Sequence, residues 1–129
     1  MPSKSDVILS QDAPAPGPLM SQGIISNGMI YCSGSLGIDP QTGKFVSGDA
    51  SDRTVQALRN LEQVLKAGGS DLSKVVKVTI FISSMDHYPK VNEGYAKVFV
   101  HDVKPCRTCV GVASLPLDAE VEIELIASL

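Results

Sequence analysis

The sequence predicts an α+β protein, a two-layer sandwich in which a mixed six-stranded sheet carries two helices on one face. Three observations support this class: an early hairpin signal, two segments with helical spacing of apolar residues, and β-branched strands between and after them. The elements that the pattern resolves follow the order ββαβαββ. We expect one domain over residues 1–129, a length typical of a single domain.

The first part of the chain contains a lead-in, a hairpin and a turn. Residues 11–18 (QDAPAPGP) are rich in proline and alanine, so we expect an ordered but irregular segment. An Asn-Gly dipeptide at residues 27–28 separates the apolar runs 23–26 and 29–34, which is a strong signal for a β-hairpin. A second turn is expected at residues 39–43 (DPQTG).

A helix and a strand follow. Apolar residues recur at helical spacing from position 51 or 52, and a glycine pair at 68–69 marks the end of the helix. The apolar stripe consists of Val55, Leu58, Leu61 and Leu65. Residues 74–83 (KVVKVTIFIS) predict a strand, whose alternation places one set of side chains on a buried face. That set is Val76, Val78, Ile80 and Ile82.

A second helix and two strands complete the pattern. Asp86 is the expected cap, Pro89 lies in the first turn, and the helix should end near residues 101–102. Its apolar stripe consists of Val91, Tyr95, Val98 and Phe99. Residues 107–113 and 121–128 predict the final strands. Such a sandwich leaves one sheet face uncovered, and its mixed character predicts burial against further copies of the chain.

Composition and charge restrict the function classes. The chain has 11 Lys+Arg and 14 Asp+Glu, a net charge of −3, so we expect no nucleic-acid partner. No run reaches the roughly 18 apolar residues that a membrane span needs, and residues 1–6 lack the apolar core of a signal peptide. We therefore expect no membrane partner and a cytoplasmic location, with organelle import left open.

Three cysteines, an odd number without a secretory signal, indicate reduced thiols. Cys106 and Cys109 have C-x-x-C spacing, but a structural zinc would need a second ligand pair, and His87 and His101 lack ligand spacing. A redox motif would open a helix, whereas this one opens an apolar, extended segment. We interpret the spacing as chance and expect no metal.

Arg107 is the first candidate for chemistry. Its planar guanidinium can hold a carboxylate through two parallel hydrogen bonds. A surface arginine in a weak ion pair is the alternative, but the apolar neighbours in PCRTCV (105–110) favour partial burial, where an unpaired charge is costly. Strand alternation places Cys109 on the same face. We interpret Cys109 as a small packing residue beside the site, since no histidine lies near it in sequence to act as a base.

Two further candidates lie on other strands. Glu122 could orient or deprotonate a water. The alternative is that the glutamates of this strand are solvated or paired with lysines, which we favour for Glu120 and Glu124. Ser33 and Gly34 offer a hydroxyl and a closely approachable backbone, or form a plain strand-end turn. An arginine on one strand and a carboxylate on the next could meet in a polar site with apolar walls, which predicts a small anionic ligand.

Five segments together resemble the RidA/YjgF family of reactive-intermediate deaminases. They are SGxxGxDPxTG (33–43), VVKVTIFI (75–82), VNxxYxxxF (91–99), PCRTCV (105–110) and LPxDAxVEIExIA (115–127). The resemblance covers nearly the whole chain, and the last two segments form a specific combination. It implies a chorismate-mutase-like fold and a homotrimer with three sites in the clefts between subunits. It also implies hydrolysis of 2-imino acids, or their enamine tautomers, to 2-oxo acids and ammonium, without metal or organic cofactor.

The resemblance also assigns roles to residues of this chain. It implies that Arg107 fixes the substrate carboxylate, that backbone groups near Gly34 and Cys109 hold the imine nitrogen, and that Glu122 places the attacking water. Ser33 belongs to the same strand end. Small substrates, 2-iminobutanoate and 2-iminopropanoate, are expected.

The chain departs from the family pattern in the lead-in, where residues 17–22 read GPLMSQ instead of GPYSQ. Met20 thus replaces a pocket tyrosine, with a one-residue insertion, and we count it among the substrate-binding residues. Ser35 and Gly111 stand where glutamine and glutamate are common. The alternative function is a non-catalytic trimer that binds small metabolites or acts like a chaperone. RNA cleavage is a third possibility, and the net acidity counts against it.

Overall fold

Six strands and two helices follow the order βββαβαββ in the computed structural model, which describes residues 6–129. The strands are β1 (Asp6–Ile8), β2 (Gly23–Ser26), β3 (Met29–Ser35), β4 (Val75–Ile82), β5 (Cys106–Gly111) and β6 (Val121–Ser128), and the helices are α1 (Ala50–Ala67) and α2 (Tyr88–Val98). The two-layer α+β class is confirmed. The predicted order lacked β1, a three-residue edge strand that is too short to show alternation. The prediction that the N-terminus carries no targeting segment falls mostly on residues 1–5, outside the described part.

The strands form one sheet in the order β1-β2-β3-β6-β4-β5. Every pairing is antiparallel except that of β4 with β5, which is parallel. Both helices pack on the same side, where α1 contacts α2, β3 and β6. The other face has no covering element within residues 6–129. In the same range, neither helix is long and apolar enough to cross a bilayer.

Local signals account for the hairpin and for α1. Asn27 and Gly28 have φ values of 51° and 77°, the left-handed conformation that these two residue types tolerate best. Asp49 caps α1 by accepting hydrogen bonds from the backbone of Ser51 and Asp52, and the Asp52 side chain accepts one from the Asp49 backbone. The helix thus begins at Ala50, one or two residues earlier than predicted, and ends, as predicted, at the glycine pair.

The core lies between the helices and the sheet. The inward residues of β4 (Val78, Ile80, Ile82) and of β6 (Val121, Ile123, Leu125, Ala127) are at most 2% exposed. The prediction for Val76 is wrong, because the pairing of β4 with β6 shifts between Val75 and Lys77. This irregularity turns Val75 into the core, at 7% exposure, and leaves Val76 42% exposed on the open face.

The start of α2 differs from the prediction. Ser84, not Asp86, acts as the cap: its hydroxyl accepts a hydrogen bond from the Asp86 backbone at the start of a short 3-10 turn that leads into α2. The helix ends at Val98, before residues 101–102, because Phe99 leaves the helical conformation. The predicted apolar stripe of α2 is confirmed, since all four of its residues are at most 8% exposed.

The buried face of β4 should contribute strongly to stability. We expect Val78→Ala to lower the free energy of unfolding by about 2 kcal/mol, because it removes two methyl groups from a site with no exposure. Val103→Ala makes the same change at a side chain that is 87% exposed and should cost much less. Urea unfolding of both variants is the measurement, and equal losses would contradict the assigned core.

Candidate active site

Arg107 lies on the helix-covered face of the sheet. In the parallel pairing of β4 with β5 it stands opposite Val78, and its side chain extends to α2. Its Nη2 donates a hydrogen bond to Asn92 Oδ1 at 2.5 Å. Its Cζ lies 4.7 Å from the centre of the Tyr95 ring and 5.8 Å from that of Tyr88. These contacts hold a partly buried guanidinium in one orientation.

The charge of Arg107 has no partner carboxylate among residues 6–129 within 4 Å. A guanidinium carries five N–H donors, and only Nη2 donates to a side chain of the described residues. The remaining donors can form the paired hydrogen bonds that a ligand carboxylate accepts. Since a partly buried cation without a counter-ion is costly, this arrangement favours a bound anion.

Asn92 and Tyr95 belong to the same candidate site, although the sequence pattern does not assign them to it. Tyr95 was predicted as core and is 8% exposed, yet its ring also faces the guanidinium. Its buried hydroxyl has no hydrogen-bond partner within the described residues. One sequence signal could have found them. Asn92 is a polar residue three positions before Tyr95, and residues at that spacing share one surface of a helix, so Asn92 lies on the apolar face of α2.

Cys109 lies on the same face as Arg107, beside the core. Burial raises the pKa of the Cys109 thiol, and the Arg107 charge offsets this only in part. The group is therefore a neutral thiol at neutral pH, which agrees with a packing role. Cys106 is exposed on the opposite face, so the C-x-x-C pair cannot act as one dithiol or metal site. No group of three potential metal ligands comes together among residues 6–129.

Glu122 lies on the open face, opposite Phe81 in the pairing of β4 with β6. Its carboxylate covers Gly34: a Cβ built on that glycine would lie 2.5 Å from Glu122 Oε2. Only a residue without a side chain fits at position 34 in this arrangement. Burial raises the pKa of the Glu122 carboxyl, and the negative charge of Glu124 raises it further. Such a carboxylate is a stronger base than an exposed glutamate.

Ser33 precedes Gly34, the glycine that this carboxylate covers. The pairing of β3 with β6 is irregular between Cys32 and Ser35, which places Ser33 and Gly34 in a bulge. Ser33 Oγ donates to the carbonyl oxygen of Ser21 at 2.6 Å, so its lone pairs stay available to accept. Met20 is 50% exposed and lines a cavity together with Ser33 and Gly34.

Glu124 is exposed, as predicted. Glu120, just before β6, is paired as predicted, but with Arg53 rather than a lysine, with 2.6 Å between Oε1 and Nε.

The candidate residues therefore form two groups. The arginine half consists of Arg107, Cys109, Asn92 and Tyr95, and the glutamate half consists of Glu122, Ser33, Gly34 and Met20. One chain does not bring the two halves together, because β4 lies between their strands and their side chains leave opposite faces. Two strand spacings and three residues along β4 separate the backbones of Arg107 and Glu122 by about 14 Å.

The sequence and the structure were compared with known proteins. Residues 10–129 match the family model described as Endoribonuclease L-PSP, which includes the RidA proteins. The chain belongs to this family. The RidA resemblance seen in the sequence motifs is thereby confirmed.

Curated relatives of this RidA-family chain include deaminases. Reactive Intermediate Deaminase A, chloroplastic, of Arabidopsis thaliana is 45% identical over 98% of this chain and 67% of the relative. The 2-iminobutanoate/2-iminopropanoate deaminase of Rattus norvegicus is 39% identical over 94% of this chain and 88% of the relative. Among solved structures, E. coli TdcF with bound serine superposes with a TM-score of 0.91 at 32% identity, covering 97% of this chain and 99% of TdcF.

The contact between Gly34 and Glu122 gives a structural prediction. In Gly34→Ala the new methyl group should displace the flexible carboxylate toward water and leave the fold intact, so the pKa of Glu122 should fall toward its ordinary value. Gly111→Ala is the matched control, because a Cβ there makes only ordinary contacts, with Met85 at 3.7 Å and with the Ile82 carbonyl oxygen at 4.0 Å. Carboxyl titration by NMR measures both variants. An unshifted Glu122 in a folded Gly34→Ala protein would contradict the close contact.

Proposed function

We propose that this protein hydrolyses 2-imino acids, or their enamine tautomers, to 2-oxo acids and ammonium, with 2-iminobutanoate and 2-iminopropanoate as the first substrates to test. The observation that carries the proposal is the Arg107 guanidinium, fixed by Asn92 and Tyr95 and without a carboxylate among the described residues. A 2-imino acid supplies that carboxylate and places its C2 atom next to it. The deaminase relatives support the same reaction.

The active site forms, in this proposal, between two copies of the chain. One copy contributes the arginine half and the next contributes the glutamate half, because their side chains leave opposite faces of the sheet. The open face bears the exposed apolar side chains Tyr31, Val76 and Val110, which a second copy can bury. A closed ring of three copies repeats this contact three times and agrees with the homotrimer that the sequence resemblance implies.

The reaction requires orientation and proton transfer. Arg107 binds the carboxylate, and backbone groups near Gly34 and Cys109 hold the imine nitrogen. Glu122 accepts a proton from a water as the water oxygen bonds to C2 and the electron pair of the C=N bond moves to nitrogen. In the adduct of a protonated imine, the carboxyl then returns this proton to the amino nitrogen. As the C–N bond breaks, the C2 hydroxyl gives its proton to Glu122 and becomes the carbonyl of the 2-oxo acid, and the released ammonia takes up that proton to form ammonium. Cys109 forms no covalent bond in this scheme.

Two other functions are alternatives. A non-catalytic trimer could bind small metabolites in the same clefts, which the serine bound in TdcF and the replacement of the pocket tyrosine by Met20 favour. RNA cleavage is suggested by the family description and by the titles of similar solved structures, but a net charge of −3 gives no attraction for a phosphate backbone. The cytoplasmic location stays a prediction, because one relative is named chloroplastic.

The direct test is imine hydrolysis. Threonine or serine dehydratase generates the 2-imino acid, and formation of the 2-oxo acid is timed with and without this protein. Arg107→Ala should lower kcat/KM about 100-fold, since two charge-assisted hydrogen bonds contribute roughly 3 kcal/mol. Arg59→Ala is the control, because Arg59 is an exposed arginine of α1 that pairs with Glu62 of the same helix. No acceleration by the folded wild-type protein would reject the proposal in favour of a binding role.

Mixing two inactive variants tests whether the site is shared between copies. Arg107→Ala and Glu122→Gln subunits, refolded together in equal amounts, should recover about a quarter of the wild-type activity. The reason is statistical: half of the arginine halves and half of the glutamate halves are intact, and they combine at random in a ring. Each variant refolded alone is the control. A mixture as inactive as its components would show that both halves act within one chain.

The raised pKa of Glu122 predicts a pH dependence. Since the base must be ionised, activity should fall with decreasing pH at a higher pH than an ordinary glutamate would give. Glu124→Gln removes the second cause of the shift and should move this acid limb to lower pH. A pH profile of kcat/KM measures both, and an unmoved limb would contradict the assignment of the limb to Glu122.

Ionisation of Glu122, which activity requires, should lower the stability of the folded protein. A carboxyl whose folded pKa is raised favours the folded state below its unfolded pKa, and this contribution is lost as the pH rises through the folded pKa. Glu122→Gln should therefore raise the thermal unfolding midpoint at neutral pH relative to wild type, and less so at acidic pH. A lower midpoint at neutral pH would show that the charged carboxylate is stabilised in the fold.

A further inference from the structure

A cavity of about 160 Å³ lies at the end of β3, between the lead-in and α1. Its apolar walls include Ala13 and Met20 of the lead-in, Leu36 and Ile38 after β3, and Leu61 and Val64 of α1. Ser33 and Gly34 also line it, so the cavity reaches the bulge that Glu122 covers from the open face. The proposed mechanism assigns this space no role.

The polar side chains that line the cavity form hydrogen bonds to the segments that make up its walls. Gln22 is 6% exposed, and its Nε2 donates to the carbonyl oxygens of Ser10 and Pro14 at 3.1 and 2.9 Å. Asn60 donates to two carbonyl oxygens just beyond β3, at 3.3 and 2.8 Å. Ser35 donates to a carbonyl oxygen of α1 at 3.1 Å. The interior therefore offers apolar surface and few free polar groups.

The mouth of the cavity lies at the lead-in, where Ala15 and Met20 are its exposed wall residues. A methionine there is unbranched and flexible, so it can adapt to groups of different shape. The volume is close to that of an engineered apolar cavity of roughly 150 Å³ that stays dry and binds benzene. The space thus fits an aliphatic or aromatic group of about four to seven carbon atoms.

We propose that this cavity receives the substrate side chain, and that the protein prefers 2-imino acids with a branched aliphatic or aromatic side chain over 2-iminopropanoate. This inference rests on the proposed function. Each buried methylene should raise kcat/KM about fourfold. The leucine-derived imine adds three carbons to the alanine-derived one, so its kcat/KM should be roughly 50-fold higher.

A comparison of two imines tests the proposal. An L-amino-acid oxidase generates 2-imino-4-methylpentanoate from leucine and 2-iminopropanoate from alanine, and the ratio of their kcat/KM values is measured. Ala13→Leu adds three carbons at a buried wall position and should lower this ratio at least tenfold. Ala67→Leu makes the same change at the exposed end of α1 and should keep the wild-type ratio. A wild-type ratio near one, or a ratio unchanged in folded Ala13→Leu, would overturn the proposal.

A binding measurement separates this inference from the proposed function. The methyl resonances of Leu61 and Val64 should shift with 4-methyl-2-oxopentanoate, the leucine-derived product, and stay in place with 2-oxopropanoate. This readout needs neither turnover nor the Ala13→Leu variant. If neither imine is hydrolysed, the proposed function fails, and selective methyl shifts would still support the cavity as the side-chain site. Equal responses to both ligands would overturn it.

Discussion

Strand β6 lies between β3 and β4, and its alternation determines what each face of the sheet presents. Val121, Ile123 and Leu125 face the helices and are nearly inaccessible, so a shift of one residue would expose all three. The same register places Glu122 on the open face beside Gly34. Burial of the core thus fixes the position of a carboxylate that the core itself does not use.

The parallel pairing of β4 with β5 positions the arginine in the same way. Opposite Val78, Arg107 has to lie on the helix side, where α2 supplies an amide acceptor and two aromatic rings. Burial raises the pKa of Glu122, and the partly buried Arg107 guanidinium has no counter-ion among residues 6–129. In the proposed function the substrate carboxylate supplies the counter-ion of Arg107, and the raised pKa makes Glu122 a stronger base for the attacking water.

The sequence alone predicts the features that depend on local periodicity. The hairpin, the stripe of both helices, and the buried faces of β6 and most of β4 follow from spacing and turn chemistry. The prediction for Val76 was wrong because the sequence of β4 alone does not reveal its irregular pairing with β6. The cap expected at Asp86 was misplaced because the chain enters α2 through a 3-10 turn, which Ser84 caps, and no side chain caps α2 itself. The role of Asn92 depends on α2 passing over β5, a contact between elements that spacing does not encode.

Strand order accounts for the largest gap between the sequence and the site. Arg107 and Glu122 lie on strands that are consecutive in the chain, so proximity was a reasonable expectation, yet β4 is inserted between them. The insertion of β4 changes the interpretation of Arg107 and Glu122. Within one chain each would be an isolated charged group on its own face, and neither would have a chemical partner. In the proposed ring, the open face of one copy meets the edge of the next, so the same separation allows one site to be built from two identical chains.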